Sequence, residues 1–216
     1  MMQVLVIGAT GGSGRAVCDA LLDRGHRVTA FARSATAMPP RERLDRLDGD
    51  AANVELLGRV LPGHDAVVVT LGISEPAWRV RLLGAKGTAD DIRSRGTEAV
   101  IRAARACGVS RIVVQSSYGV GPTRPHLEIA NRLVFALLLR PQISDTERQE
   151  QAVRSSGLQW TLVQPVYLTD GEDATHVTST DGRTRRTRVS RRGVANVHAD
   201  LIESGAHWHD TVTVSG

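Results

Sequence analysis

Residues able to do chemistry gather in three places along the chain. The first is Gly8-Ala9-Thr10-Gly11-Gly12-Ser13-Gly14-Arg15, which sets glycines at spacing three directly behind the apolar run Gln3-Val4-Leu5-Val6-Ile7. A side chain at Gly11 or Gly12 would hold the backbone away from a pyrophosphate. Gly14 would let the following helix pack closely on the strand. The helix start offers unpaired N–H groups and a positive dipole end to phosphates. A tight strand-to-helix turn with no ligand is the alternative, but the flanking strand and helix turn a weak glycine pattern into a usable one. Gly8, Thr10, Gly11, Gly12, Ser13, Gly14 and Arg15 are therefore expected to bind a dinucleotide. The second place is Ser116-Ser117-Tyr118, and the third is Pro165-Val166-Tyr167. Each follows a predicted strand and carries one of the chain's two tyrosines.

The type of dinucleotide is readable at the second strand, Arg27 to Ala32, which ends in Arg33-Ser34 with no acid at its tip. An acid there would bind ribose hydroxyls; an arginine suits a 2′-phosphate, which it grips through a planar fork of donors. The expectation is NADP(H), with Arg33 as the main selector and Ser34 as a secondary donor. A surface arginine in an arginine-rich chain is the plainer reading. Alcohol dehydrogenation of the common kind uses a tyrosine whose pKa is lowered by a lysine four residues on. Here Pro122 stands four residues after Tyr118, Gly171 stands four after Tyr167, and the only lysine, Lys86, lies far upstream. That machinery is absent, which leaves Tyr118 as a substrate hydrogen-bonder or a strand cap.

These residues need a scaffold, and the chain alternates strand and helix as a doubly wound α/β sheet does. A first helix places Val17, Ala20 and Leu21 on one face and ends at Gly25. A weak third strand lies at Leu44 to Leu47. Asp50 starts a helix with Val54, Leu57 and Leu61 inward, which Pro62-Gly63 ends. Strand four is Ala66 to Thr70, and Thr70-Leu71-Gly72 leaves it where the strand order reverses and such folds bind ligands. Ile73 to Gly87 is irregular. A long helix then runs to Cys107 and stops at Gly108. Strand five is Ile112 to Gln115, and Leu127 to Leu139 is a strongly apolar helix that Pro141 breaks. Ser144-Asp145-Thr146-Glu147 has the form of a capping box and starts another helix. Capping and solvated helix charge account for Asp145, Glu147 and Glu150. Strand six is Thr161 to Gln164; a short strand at Thr187 to Val189, a helix from Gly193 to Glu203 and a strand from Thr211 to Val214 complete a single Rossmann-type domain spanning residues 1–216.

Composition narrows the function classes. A chain of 216 residues with 41% hydrophobic residues can bury a substantial core. Its net charge of +4, carried almost wholly by arginine, is compatible with an anionic cofactor or substrate. Aromatics at 3% argue against nucleic-acid binding by base stacking. The run after Met1 is too short for a signal peptide, and no stretch reaches the roughly 20 apolar residues of a membrane span, so a cytoplasmic protein is expected. Cys18 and Cys107 fall on helices without ligand spacing, and the seven histidines show none, so no metal site is expected. The run Arg183, Arg185, Arg186, Arg188, Arg191 and Arg192 reads as a solvated surface strand or a contact for an anionic partner.

Gly8-x-x-Gly11-x-x-Gly14 resembles the extended and atypical branches of the short-chain dehydrogenase/reductases. Val109 to Ser117 resembles the fifth-strand segment of the atypical reductases, and Ser156-Gly157-Leu158-Gln159-Trp160-Thr161-Leu162-Val163-Gln164-Pro165 resembles their "SGLxWTxxxP" segment. Together these are similar to the NAD(P)H-binding family that includes biliverdin reductase B (flavin reductase) and the NmrA-like proteins. The resemblance implies that Asp50 and Ala51 lie by the adenine. It implies that Leu71, Gly72, Ser116, Pro165 and Val166 border the cofactor and that Ser117 faces the nicotinamide. A histidine of the reductases is replaced here by Tyr167, which the resemblance makes a proton donor or stacking surface. Two activities fit. One is an NADPH-dependent reductase of a flavin, quinone or similar small aromatic or anionic acceptor, which needs mainly orientation from the protein. The other is a non-catalytic NADP(H) sensor. Either can be a monomer or a homodimer.

Overall fold

The computed structural model describes residues 1–72, 89–126 and 140–216. The expected irregular segment at 73–87 and the expected apolar helix at 127–139 lie outside the described residues. Strands β1 (Gln3–Ile7), β2 (Arg27–Ala32), β3 (Leu44–Asp48), β4 (Ala66–Val69), β5 (Arg111–Gln115), β6 (Gln159–Pro165), β8 (Val177–Ser179) and β10 (Asp210–Ser215) form one sheet in the order β3-β2-β1-β4-β5-β6-β10-β8. Every pairing is parallel except the antiparallel β10–β8 edge. The strand order reverses between β1 and β4. Two short strands, β7 (Tyr167–Thr169) and β9 (Arg188–Ser190), pair parallel outside it.

Both faces of this sheet are covered, which explains why its central strands are apolar throughout rather than alternating. Val4 and Val6 face the core beneath α1 (Gly12–Asp23) and α5 (Arg191–Ser204). Leu5 and Ile7 point the other way, to α2 (Val54–Val60) and α3 (Ile92–Cys107), as the two-residue period of a strand requires. Helix α4 (Arg140–Arg154) lies against α3.

Four expectations need correction: where α4 starts, Asp145 as the cap of its own helix, Asp145 and Glu150 as solvated charges, and Asp50 as the start of α2. The two that concern Asp145 and Glu150 failed because these side chains found partners remote in sequence. Among the described residues helix α4 is already formed at Arg140, four residues before Ser144. Asp145 does not cap its own helix. Its carboxylate accepts from Arg93 N at 3.0 Å, Ser94 N at 3.1 Å and Ser94 Oγ at 2.5 Å, so it caps α3 from across the interface. Asp145 and Glu150 are 1% and 3% exposed, so neither is a solvated helix charge. Asp50 closes a turn onto Ala52 N at 2.9 Å, and Asn53 caps α2 through Leu56 N at 2.9 Å. The remaining strands fall within one or two residues of their expected bounds. Strands β7 and β8, three residues each, carry no periodicity long enough to read.

Candidate functional site

The carboxyl ends of β1, β2, β4, β5 and β6 meet at the reversal of strand order, and the residues singled out by chemistry collect there. Gly8 leaves β1 with φ +84°, a left-handed conformation that an L side chain resists, and an added Cβ would lie 2.9 Å from Thr70 O. Its N–H and that of Ala9 donate to Phe31 O, tying the loop to the end of β2. Gly11 N donates to Gly8 O at 3.1 Å and closes the turn. Gly14 then passes so near that a Cβ would stand 2.3 Å from Gly8 O and 2.8 Å from Ala9 Cα. Helix α1 opens behind Gly11 with no side-chain cap. The N–H groups of Gly12, Ser13 and Gly14 have no intrahelical partner, as in the first turn of any α-helix, and present a positive dipole end. This cradle of backbone donors, built on residues without side chains at Gly11, Gly12 and Gly14, fits a pyrophosphate. Gly12 and Arg15 are exposed; Thr10, Gly11 and Ser13 are half-buried.

Two hydrogen bonds join the three clusters. Gln115 Nε2, at the end of β5, donates to Ser13 Oγ at 3.0 Å, and Tyr118 N donates to Pro165 O at 3.1 Å. Ser117 therefore lies between the glycine loop and the end of β6, half-buried. Ser116 is turned inward: its hydroxyl donates to Glu150 Oε1, which also accepts Gln164 Nε2 at 2.6 Å, while Arg154 Nη2 donates to Oε2 at 3.1 Å. The backbone N–H of Ser116 is also engaged, donating to Val163 O at 2.8 Å. Tyr118 is half-buried and its hydroxyl donates to Gly182 O at 3.2 Å. Tyr167 stands on β7 with 70% of its surface exposed, and the Arg188 guanidinium lies 5.7 Å from its ring centroid.

Arg33 and Ser34 stand exposed past the end of β2, Ser34 preceding a 3-10 turn at Ala35–Ala37. Strand β3 places Asp48 opposite Ala32. That acid accepts from Thr36 Oγ1 at 2.6 Å and Thr36 N at 2.8 Å, bonds that hold its carboxyl below the usual range. Asp48, at the end of the neighbouring strand, is thus engaged with the 3-10 turn. Ala51 is buried against α3, where Gly96 leaves it room, and Asp50 is exposed beside it. Leu71 is buried, and Gly72 is exposed with Arg93 Nη2 3.0 Å from where its Cβ would be. Cys18 is buried on the inner face of α1, and that burial pushes its thiol up to about 12, away from a reactive thiolate. Gln115 and Arg93 belong to this region without having been singled out in the sequence, and Glu150 and Arg191 were read there only as a solvated helix charge and as one of an arginine run; a polar residue closing an apolar strand, at Gln115, was a readable sign.

Fold and site define a Rossmann-type dinucleotide-binding protein. A family model of NAD(P)H-binding proteins matches residues 8–205, and the chain belongs to that NAD(P)H-binding family. It is 33% identical over 125 residues to the 3 beta-hydroxysteroid dehydrogenase/Delta 5→4-isomerase of Mycobacterium tuberculosis, a stretch covering 55% of this chain and 32% of that protein. The chain thus spans about a third of the length of the curated relatives it first matches. Two solved structures share its fold over nearly the whole length. A short-chain dehydrogenase/reductase from Veillonella parvula in complex with NADP has a TM-score of 0.82 at 16% identity, covering all of this chain and 94% of that one. The anaerobilin reductase ChuY from Escherichia coli O157:H7 has a TM-score of 0.74 at 20% identity, covering 99% and 96%.

Proposed function

We propose that this chain is an NADPH-dependent reductase that passes a hydride to a flavin, quinone or similar conjugated acceptor. The observation that carries the reading is the Gln115–Ser13 bond, which ties the end of β5, two residues before Ser117, to the glycine loop and so supports Ser117 as a neighbour of the nicotinamide. The bound nicotinamide supplies the hydride. The chain's part is to hold the pyrophosphate on the N–H groups of Gly12 to Gly14 and the 2′-phosphate on Arg33 and Ser34. Ser117, with Pro165 and Val166, fixes the ring face. A conjugated acceptor takes its proton from solvent, so the missing Tyr-x-x-x-Lys pair is no obstacle. Reductase and NADP-bound relatives of the same fold support this reading.

The test follows NADPH absorbance with FMN, riboflavin, a quinone series and biliverdin. Turnover on any of them supports a reductase. Tight NADPH binding with no turnover would instead favour a sensor, a reading supported by the Tyr118 hydroxyl being engaged with Gly182 and by the exposure of Tyr167. Cofactor choice has its own test. Arg33→Asp removes a charge-assisted contact worth roughly 1.5–3 kcal/mol. It should weaken NADPH about 10- to 100-fold while leaving NADH little changed, read by fluorescence titration. Equal loss for both cofactors, or none for either, would remove Arg33 from the selector role.

A further inference from the structure

The arginine run holds one member that differs from the rest. Arg191 is the first residue of α5, and its backbone is fixed by a capped helix start: Ser190 Oγ accepts from Gly193 N at 2.9 Å and donates to Asp173 O. From there its side chain reaches back across the molecule to the glycine loop. A Cβ built on Gly12 would lie 2.8 Å from Arg191 Nε and 3.0 Å from its Cδ. Arg191 Nη1 is ion-paired with the exposed Asp170. The neighbouring arginines of the run are engaged elsewhere: Arg183 with Asp181, Arg188 over Tyr167, and Arg192 with Glu172.

We infer that Arg191 is a pyrophosphate-binding residue that closes over the glycine loop. This rests on the proposal that the loop holds NADP(H). A guanidinium is a planar fork whose Nε and outer Nη form one edge matched to two oxygens of a phosphate. Asp170 holds Nη1, and the Nε edge is the part lying against Gly12. The backbone N–H groups of Gly12, Ser13 and Gly14 thus face the anion from the loop, and Arg191 faces it from α5. Gly12 acquires a second meaning: glycine there makes room for an arginine as well as for a phosphate. Asp170 orients the guanidinium and, as a carboxylate beside an anion, moderates the affinity it provides.

Calorimetric titration with two probes tests this. NADP+ carries the pyrophosphate; adenosine 2′-monophosphate carries the 2′-phosphate without it. Arg191→Ala should weaken NADP+ about 10- to 100-fold, the range for hydrogen bonds to a charged group, and change adenosine 2′-monophosphate by less than about twofold. Arg191→Met keeps the stem packed on Gly12 and should show the same split if the alanine variant folds poorly. Arg191→Lys should recover only part of the loss, because it keeps the charge without the fork. Unchanged NADP+ affinity overturns the assignment, and so does an equal loss for both probes, which would mark a general role in shaping the site. A wild-type chain that binds neither probe overturns the cofactor reading and this inference together. A wild-type chain that binds NADP+ and is indifferent to Arg191 overturns the inference alone.

Discussion

Gly14→Ala is expected to abolish dinucleotide binding and to lower the melting temperature. The new methyl would stand 2.3 Å from Gly8 O and 2.8 Å from Ala9 Cα, both backbone atoms of the loop that forms the cradle. No rotamer change relieves such a contact, so α1 must withdraw from β1 or the loop must unwind. Overpacking of this kind costs about 1–3 kcal/mol in stability, and more where the obstacle is backbone. It also displaces the N–H groups of Gly12 and Ser13 from any phosphate, for which a loss of at least about 100-fold in NADP+ affinity is expected. Gly12→Ala is the informative contrast. There the obstacle is the end of the Arg191 side chain, which can swing aside, so the fold should survive and only binding should suffer. Thermal melts and calorimetric titration of the two variants, side by side, would refute this account if Gly14→Ala bound as the wild type does.

A second large effect lies away from the site and depends on pH. His198 sits in α5 at 0% exposure, with neither ring nitrogen hydrogen-bonded among the described residues. Burial pushes its pKa down from 6.5 to about 3. The fold therefore holds the neutral ring, while the unfolded chain takes up a proton as pH drops through 6.5. The associated stability is fully present above pH 6.5 and is lost on acidification, by ~1.4 kcal/mol per pH unit, until about pH 3. His198→Leu should remove this acid sensitivity and, by deleting two unsatisfied polar atoms, add on the order of 1–3 kcal/mol near neutrality. Urea unfolding at pH 4.5 and pH 7.5 reads both effects. Identical pH slopes for wild type and variant would show that His198 is not the group responsible.

What could be read from sequence was whatever is local. The glycine loop needs only Gly8 to Arg15 in order, flanked by a strand and a helix, and its geometry matches its pattern closely. Strands β1, β2 and β5 announce themselves as apolar runs because both sheet faces are covered. What escaped was every polar side chain whose partner lies far along the chain. Asp145 looked like a cap for its own helix and instead caps α3, 51 residues earlier at Ser94. Glu150 looked solvated and instead holds Ser116 and Gln164 in the core. Gln115 and Ser13 are 102 residues apart, and nothing in either neighbourhood marks the other. Arg191 was one arginine among six until the fold laid it on Gly12.

The Gln115–Ser13 bond also has a kinetic meaning. It joins the first loop of the chain to the end of β5, and β5 reaches β1 only through β4. The cradle is therefore complete only when strands separated by a hundred residues have taken their places, an ordering that pays loop-closure entropy before any contact rewards it. A nucleotide that needs both sides of this bond would recognise the assembled sheet and not its parts. Each tenfold rise of ligand above its dissociation constant would then hold the chain folded by a further ~1.4 kcal/mol, so cofactor supply would set how long the protein lasts as well as what it does.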